Sequence, residues 1–122
     1  CFGETLKEKR NKMTNKVINY QIKKGLHKIK NIKNIFFAYE PVWSIGTGII
    51  PKINELDKQV REIKKIIKKN YKAKNAKILY GGSVNSQNIL ALKKISSIKG
   101  FLIGGASLNS KNFIDIIKKT IN

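Results

Sequence analysis

Apolar positions along this chain fall into two alternating patterns. From about residue 14 to residue 30, Val17, Ile18, Ile22, Leu26 and Ile29 recur at helical spacing and predict an amphipathic helix. Ile35-Phe36-Phe37-Ala38-Tyr39 is an unbroken apolar run of strand length. Pro51 and Asn54 mark the next helix entry, and Leu56, Val60, Ile63, Ile66 and Ile67 form its stripe. Ile78-Leu79-Tyr80, stopped by Gly81-Gly82-Ser83, predicts a second strand. Asn85 or Ser86 would cap a helix carrying Ile89, Leu90 and Leu92. Gly100-Phe101-Leu102-Ile103, stopped by Gly104-Gly105, predicts a third strand. Asn109 or Ser110 would cap a last helix, with Phe113, Ile114, Ile117 and Ile121 on its buried face. Before all of these, Cys1-Phe2-Gly3-Glu4 reads as a strand end entering a loop, followed by a polar, charged stretch through Asn15.

Strand end, helix, strand, helix, strand, helix, strand, helix is the order of a parallel α/β sheet. No linker or low-complexity segment divides it, so residues 1–122 are read as one domain. Functional loops in such sheets lie beyond the strand C-termini. Glu40, Ser83 and Gly104-Gly105 all fall there, after three different strands, and this convergence marks a candidate site.

The formal charge of +19 invites a nucleic-acid reading. Its details weaken it. Only Arg10 and Arg61 among the 26 basic residues are arginines, the type that reads bases and clamps phosphates bidentately. Lys64, Lys65, Lys68 and Lys69 fall between apolar helix positions, as a solvated face would. Lys, Ile and Asn together make 58 of 122 residues, and A/T-rich codons encode all three. Codon bias explains the charge, leaving no specific nucleic-acid partner and only weak polyanion attraction. The single cysteine excludes an internal disulfide. No apolar run approaches the ~18 residues of a membrane span, and no His/Cys cluster has metal spacing.

Glu40 stands at a strand tip, and Pro41 stops strand pairing at once. A loop with Trp43, Gly46 and Gly48 follows, an arrangement that suits a base under a closing lid. The plainer reading is a satisfied structural carboxylate. The glycine pairs would let backbone N–H groups approach an anion, or would serve only as tight turns. His27 lies among lysines far from any strand tip and reads as a surface residue. Cys1 has no evident base beside it, so packing is expected rather than nucleophilic chemistry.

Three long motifs, in order and correctly spaced, resemble the triosephosphate isomerase family. Ala38-Tyr39-Glu40-Pro41-Val42-Trp43-Ser44-Ile45-Gly46-Thr47-Gly48 resembles its catalytic strand and mobile loop. Tyr80-Gly81-Gly82-Ser83-Val84 resembles its seventh strand, and Gly100 through Leu108 its eighth. The resemblance implies the C-terminal half of a (β/α)8 TIM barrel, from the end of strand 5 through helix 8, and hence a fragment of a longer protein. It implies Glu40 as the base that moves a proton between neighbouring carbons of a triose phosphate, through an enediolate. That enzyme is itself a standard worked case of acid–base roles set by environment, so the mechanism comes with the resemblance. Gly46, Ser83, Gly104 and Gly105 match positions whose backbone N–H groups hold the phosphate. Pro41, Val42 and Trp43 match the leading hinge of the lid, which continues through Ser44, Ile45, Thr47 and Gly48. Glu4 matches a carboxylate that meets the Trp in the open lid. Tyr80 and Ser83 match residues that hold it closed.

The resemblance also implies no metal and no organic cofactor, a cytoplasmic glycolytic and gluconeogenic role, and a homodimer whose main interface loop has no match here. The family's electrophilic His and its active-site Lys and Asn have no match either, so the 122-residue chain alone is expected to be inactive. Ile49-Ile50-Pro51 departs from the commoner trailing hinge. Lys99 replaces the family's usual Asp, and Lys64 the Arg that pairs with it, so that ion pair is expected to be lost.

Overall fold

A computed structural model describes residues 1–121. Three parallel strands, β1 (Phe36–Tyr39), β2 (Lys77–Gly81) and β3 (Gly100–Leu102), lie side by side in that order. Phe37 pairs with Ile78, Tyr39 with Tyr80, and Tyr80 with Phe101. Phe2 adds a single parallel bridge beyond β1: its N–H donates to the Ala38 carbonyl at 3.0 Å, and the Phe2 carbonyl accepts the Glu40 N–H at 2.8 Å. The expected strand end before Glu4 is thus present as one bridge. Helices connect the strands in the order of an unclosed part of a (β/α)8 barrel.

The helices are α1 (Leu6–Arg10), α2 (Thr14–Gly25), α3 (Ile53–Tyr71), α4 (Ile89–Leu92) and α5 (Ser110–Ile121). Short 3₁₀ turns at Val42–Ser44 and Gly105–Leu108 sit in the loops after β1 and β3. The core lies on one face of the sheet. Phe37, Tyr39, Ile78 and Tyr80 point to that side and meet Ile18 and Ile22 of α2, Leu56, Val60, Ile63 and Ile67 of α3, and Ile89 and Leu92. Strand alternation sends Phe36 and Leu102 to the opposite face, where they are 58% and 41% exposed.

Three expectations need correction. α2 ends at Gly25, five residues early, and Ile29 is exposed; Gly25 weakens the helix and Lys28 turns left-handed at φ 66°. The predicted buried face of the last helix is reversed: Phe113, Ile114, Ile117 and Ile121 are exposed, and Ile116 is its one buried residue. α5 packs against α4 and the turn after β3, while the outer edge of β3 has no neighbouring strand among the described residues. Cys1 is exposed rather than packed, because no strand among the described residues covers the edge beyond Phe2. The polar stretch before residue 14 holds the unpredicted α1, started by a capping box between Thr5 and Glu8. Asn109 caps α5 as expected, accepting from the Asn112 N–H at 3.0 Å. Asn85 caps the turn ahead of α4, accepting from Gln87 and Asn88.

Candidate active site

Glu40 follows the last residue of β1, so its side chain points to the helix-free face at the C-terminal end of the sheet. On that face the neighbouring strand offers Gly81. A Cβ there would stand 2.7 Å from the Glu40 Cγ, too close for any side chain. Gly81 therefore makes room for the carboxylate. Glu40 is half-buried, and its carboxylate accepts no hydrogen bond from the described residues.

A cleft of about 290 Å³ opens beside it. Glu40, Gly46, Ser83, Gly104 and Gly105 all line this cleft, together with Ile45 and Gly48 of the loop. The residues singled out after three separate strands are thus brought to one place. No lysine lines the cleft. The N–H groups of Gly46, Gly104 and Gly105 donate to no described residue. The N–H of Ser83 donates at 3.3 Å to the carbonyl of Ser44, so a ligand there would have to displace that carbonyl.

The loop from Pro41 to Gly48 is anchored at both ends. Pro41 is buried, and Val42, Ile45, Gly46, Thr47 and Gly48 are exposed. Gly46 and Gly48 take φ of 70° and 77°, which glycine adopts without strain. Ser44 is fully buried at the loop's centre. Its hydroxyl donates to the Ile49 carbonyl at 2.5 Å and lies 3.2 Å from the Tyr80 hydroxyl. Its carbonyl accepts the Ser83 hydroxyl at 2.6 Å, and that same hydroxyl accepts the Gly48 N–H at 2.8 Å. Thr47 donates to the Ser44 carbonyl at 3.1 Å. At the leading end the Trp43 indole donates to Glu4 at 3.1 Å. The contacts expected of an open lid, at Glu4, therefore coexist with contacts at Tyr80 and Ser83.

Burial and the neighbouring Glu4 charge push the Tyr39 phenol far above its ordinary range. It stays protonated and donates to both Glu4 oxygens, at 3.1 and 3.2 Å. Burial also raises the Tyr80 phenol, against the opposing hydrogen bond from Ser44.

Sequence reasoning missed two participants. The sequence offers Gly81 as part of an anion-binding glycine turn or of a tight turn, and only strand register shows that it faces Glu40. Lys9 places its ammonium 3.9 Å from the centre of the Trp43 ring. Thr5-x-x-Glu8 was the signal that would have put Lys9 on a helix. His27 is exposed and lines no described cleft near Glu40. No group of three His, Cys, Asp or Glu side chains among the described residues is placed to hold a metal. No described helix is long and apolar enough to cross a membrane.

The sequence family described as triosephosphate isomerase matches residues 1–120. The triosephosphate isomerase of Borrelia garinii subsp. bavariensis is 43% identical over 127 residues, covering 99% of this chain and 50% of the relative. That of Amoebophilus asiaticus is 41% identical over 123 residues, covering 97% and 49%. That of Endomicrobium trichonymphae is 42% identical over 122 residues, with the same coverage of 97% and 49%. The chain spans about half the length of the curated relatives it matches. A match along almost its whole length assigns the chain to the triosephosphate isomerase family.

Proposed function

We propose that this chain supplies the base and the phosphate cradle of a triosephosphate isomerase, which interconverts dihydroxyacetone phosphate and glyceraldehyde 3-phosphate. One observation carries the reading: Glu40 shares a single cleft with Gly46, Ser83, Gly104 and Gly105. Glu40 removes a proton from the carbon next to the substrate carbonyl, leaving an enediolate. It returns that proton, or one exchanged for it from solvent, to the neighbouring carbon while the hydroxyl proton passes to the former carbonyl oxygen, so the carbonyl moves by one position. Among the described residues nothing donates to the Glu40 carboxylate, which leaves its oxygens for a substrate in the cleft. The phosphate is held by backbone N–H groups rather than by the lysine excess, in keeping with a cleft that no lysine lines. Binding at Ser83 requires Ser44 to withdraw its carbonyl, which couples phosphate capture to movement of the loop. The electrophile that polarises the carbonyl must come from residues outside this chain. Assembly as a homodimer and a cytoplasmic, glycolytic role belong to the same proposal, on family grounds.

Solvent proton exchange tests it. The chain is joined to the N-terminal half of the Borrelia garinii relative, giving a hybrid barrel. In D2O the hybrid should place deuterium on the carbon that Glu40 reprotonates, and Glu40→Gln should abolish this. Isomerisation without solvent label in any product, unaffected by Glu40→Gln, would rule the base out.

A further inference from the structure

The opposite end of the sheet carries a second, differently built cleft. Phe36 and Lys77 begin β1 and β2, and Lys99 immediately precedes β3. Lys64 reaches in from α3, and Lys74 and Asn75 from the loop into β2, to bound a cleft of about 600 Å³. A neighbouring cleft of about 550 Å³ shares Lys74 and Lys77 and adds Lys30 and Lys33. No carboxylate lines either one. The ion pairs among the described residues engage Lys9, Arg61, Lys65 and Lys119, and none of the lysines of these clefts.

Two of these lysines are placed by contacts of their own. The Lys99 N–H donates to the Ile78 carbonyl at 2.8 Å, which fixes its backbone against β2. Lys77 lies 4.9 Å from the centre of the Phe36 ring. Lys64 has its pKa pushed down, first by burial and then by the charges of Lys99 and Arg61. Asp57 is the acidic group that opposes this shift, and it is already engaged by Arg61 at 2.8 Å and Ser97 at 2.6 Å. Lys64 and Lys99 therefore repel each other with no free counter-charge beside them, and an anion seated between them relieves that cost.

We propose that the cleft bounded by Lys64, Lys74, Lys77 and Lys99 binds a compact polyphosphate anion, at a site separate from the one beside Glu40. Lysine binds phosphate as a point charge, and four lysines line this one cleft. The volume lies within the range of small-ligand pockets. A single-stranded polynucleotide would call for a groove of stacked aromatics and arginines, whereas this cleft offers one ring and no arginine.

The test is calorimetric titration of inorganic tripolyphosphate into the hybrid barrel at a fixed ionic strength of about 0.15 M. One-to-one saturable binding is expected. Lys64→Met with Lys99→Met should weaken it about tenfold or more by removing two of the four lysines that line the cleft. Lys7→Met with Lys16→Met removes the same net charge from residues that line neither cleft, and should change affinity by less than about twofold. Lys99→Asp, which gives Lys64 a partner, should abolish binding while leaving Tm unchanged or raised. Equal weakening by both methionine pairs, retained binding in Lys99→Asp, or no saturable binding by the unaltered hybrid would each overturn the site and leave only diffuse charge attraction.

Discussion

Trp43 donates its indole N–H to Glu4 at 3.1 Å, tying the head of the glycine loop to a carboxylate 39 positions earlier in the chain. Glu4 is 1% exposed and also receives the Tyr39 hydroxyl. A buried carboxylate satisfied by neutral donors is costly to disturb, because losing a partner leaves charge without solvent. Lys9 covers the other side of the same indole. The loop is thereby clamped at Trp43, before the glycines that give it freedom.

Glu4→Gln is predicted to loosen this clamp. Trp43 is the chain's one tryptophan, so its emission reports the clamp directly. We expect a red shift, greater acrylamide quenching and a stability loss of about 1–3 kcal/mol. Lys9→Met should move the emission the same way at a smaller cost, about 0.5–1 kcal/mol. Unchanged emission and quenching in Glu4→Gln would mean that Trp43 is held by something else.

Two glycines in the cleft should fail differently. A Cβ on Gly81 would strike the Glu40 side chain at 2.7 Å, so Gly81→Ala should displace the base. In the hybrid barrel kcat is expected to fall about 100-fold with KM nearly constant. A Cβ on Gly104 meets no protein atom within 4 Å. Gly104→Val should leave Tm unchanged and raise KM for the phosphate substrate, since only a ligand approaching the backbone would feel it. If Gly104→Val shifts kcat and Gly81→Ala shifts KM, the two roles have been exchanged.

Much of this was legible in the sequence because the strands are short apolar runs ended by glycine or proline. Glu40, Ser83 and Gly104 could be placed at strand C-termini without knowing register. Gly81 could not, since its meeting with Glu40 depends on which residue of β2 faces which residue of β1. The last helix misled for a related reason. Phe113 and Ile117 form a good apolar stripe, yet a stripe is buried only where something packs on it. The pattern over 14–30 overran because Ile29 kept the period after Gly25 and Leu26 had already ended the helix.

The 122-residue chain assayed alone is predicted to show no isomerase activity. Glu40 can attract a proton, but no matching electrophile stabilises the enediolate, and oxyanion donors are worth about 10²–10³ each in rate. Phe36 and Leu102 also stand exposed on the helix-free face of an unclosed sheet. Coupled assay with glyceraldehyde 3-phosphate, alongside sedimentation to find the oligomeric state, checks this. Rapid turnover by a monomer of the chain, lost in Glu40→Gln, would show that these residues suffice.

The most direct measurement is turnover of Glu40→Asp in the hybrid barrel. Aspartate keeps the charge and withdraws it by one methylene, about 1 Å, from a proton that must be met at close range. The account predicts kcat lower by about 100-fold or more, with KM close to that of the unaltered hybrid. Equal kcat in the two proteins would contradict the assignment of Glu40 as the base.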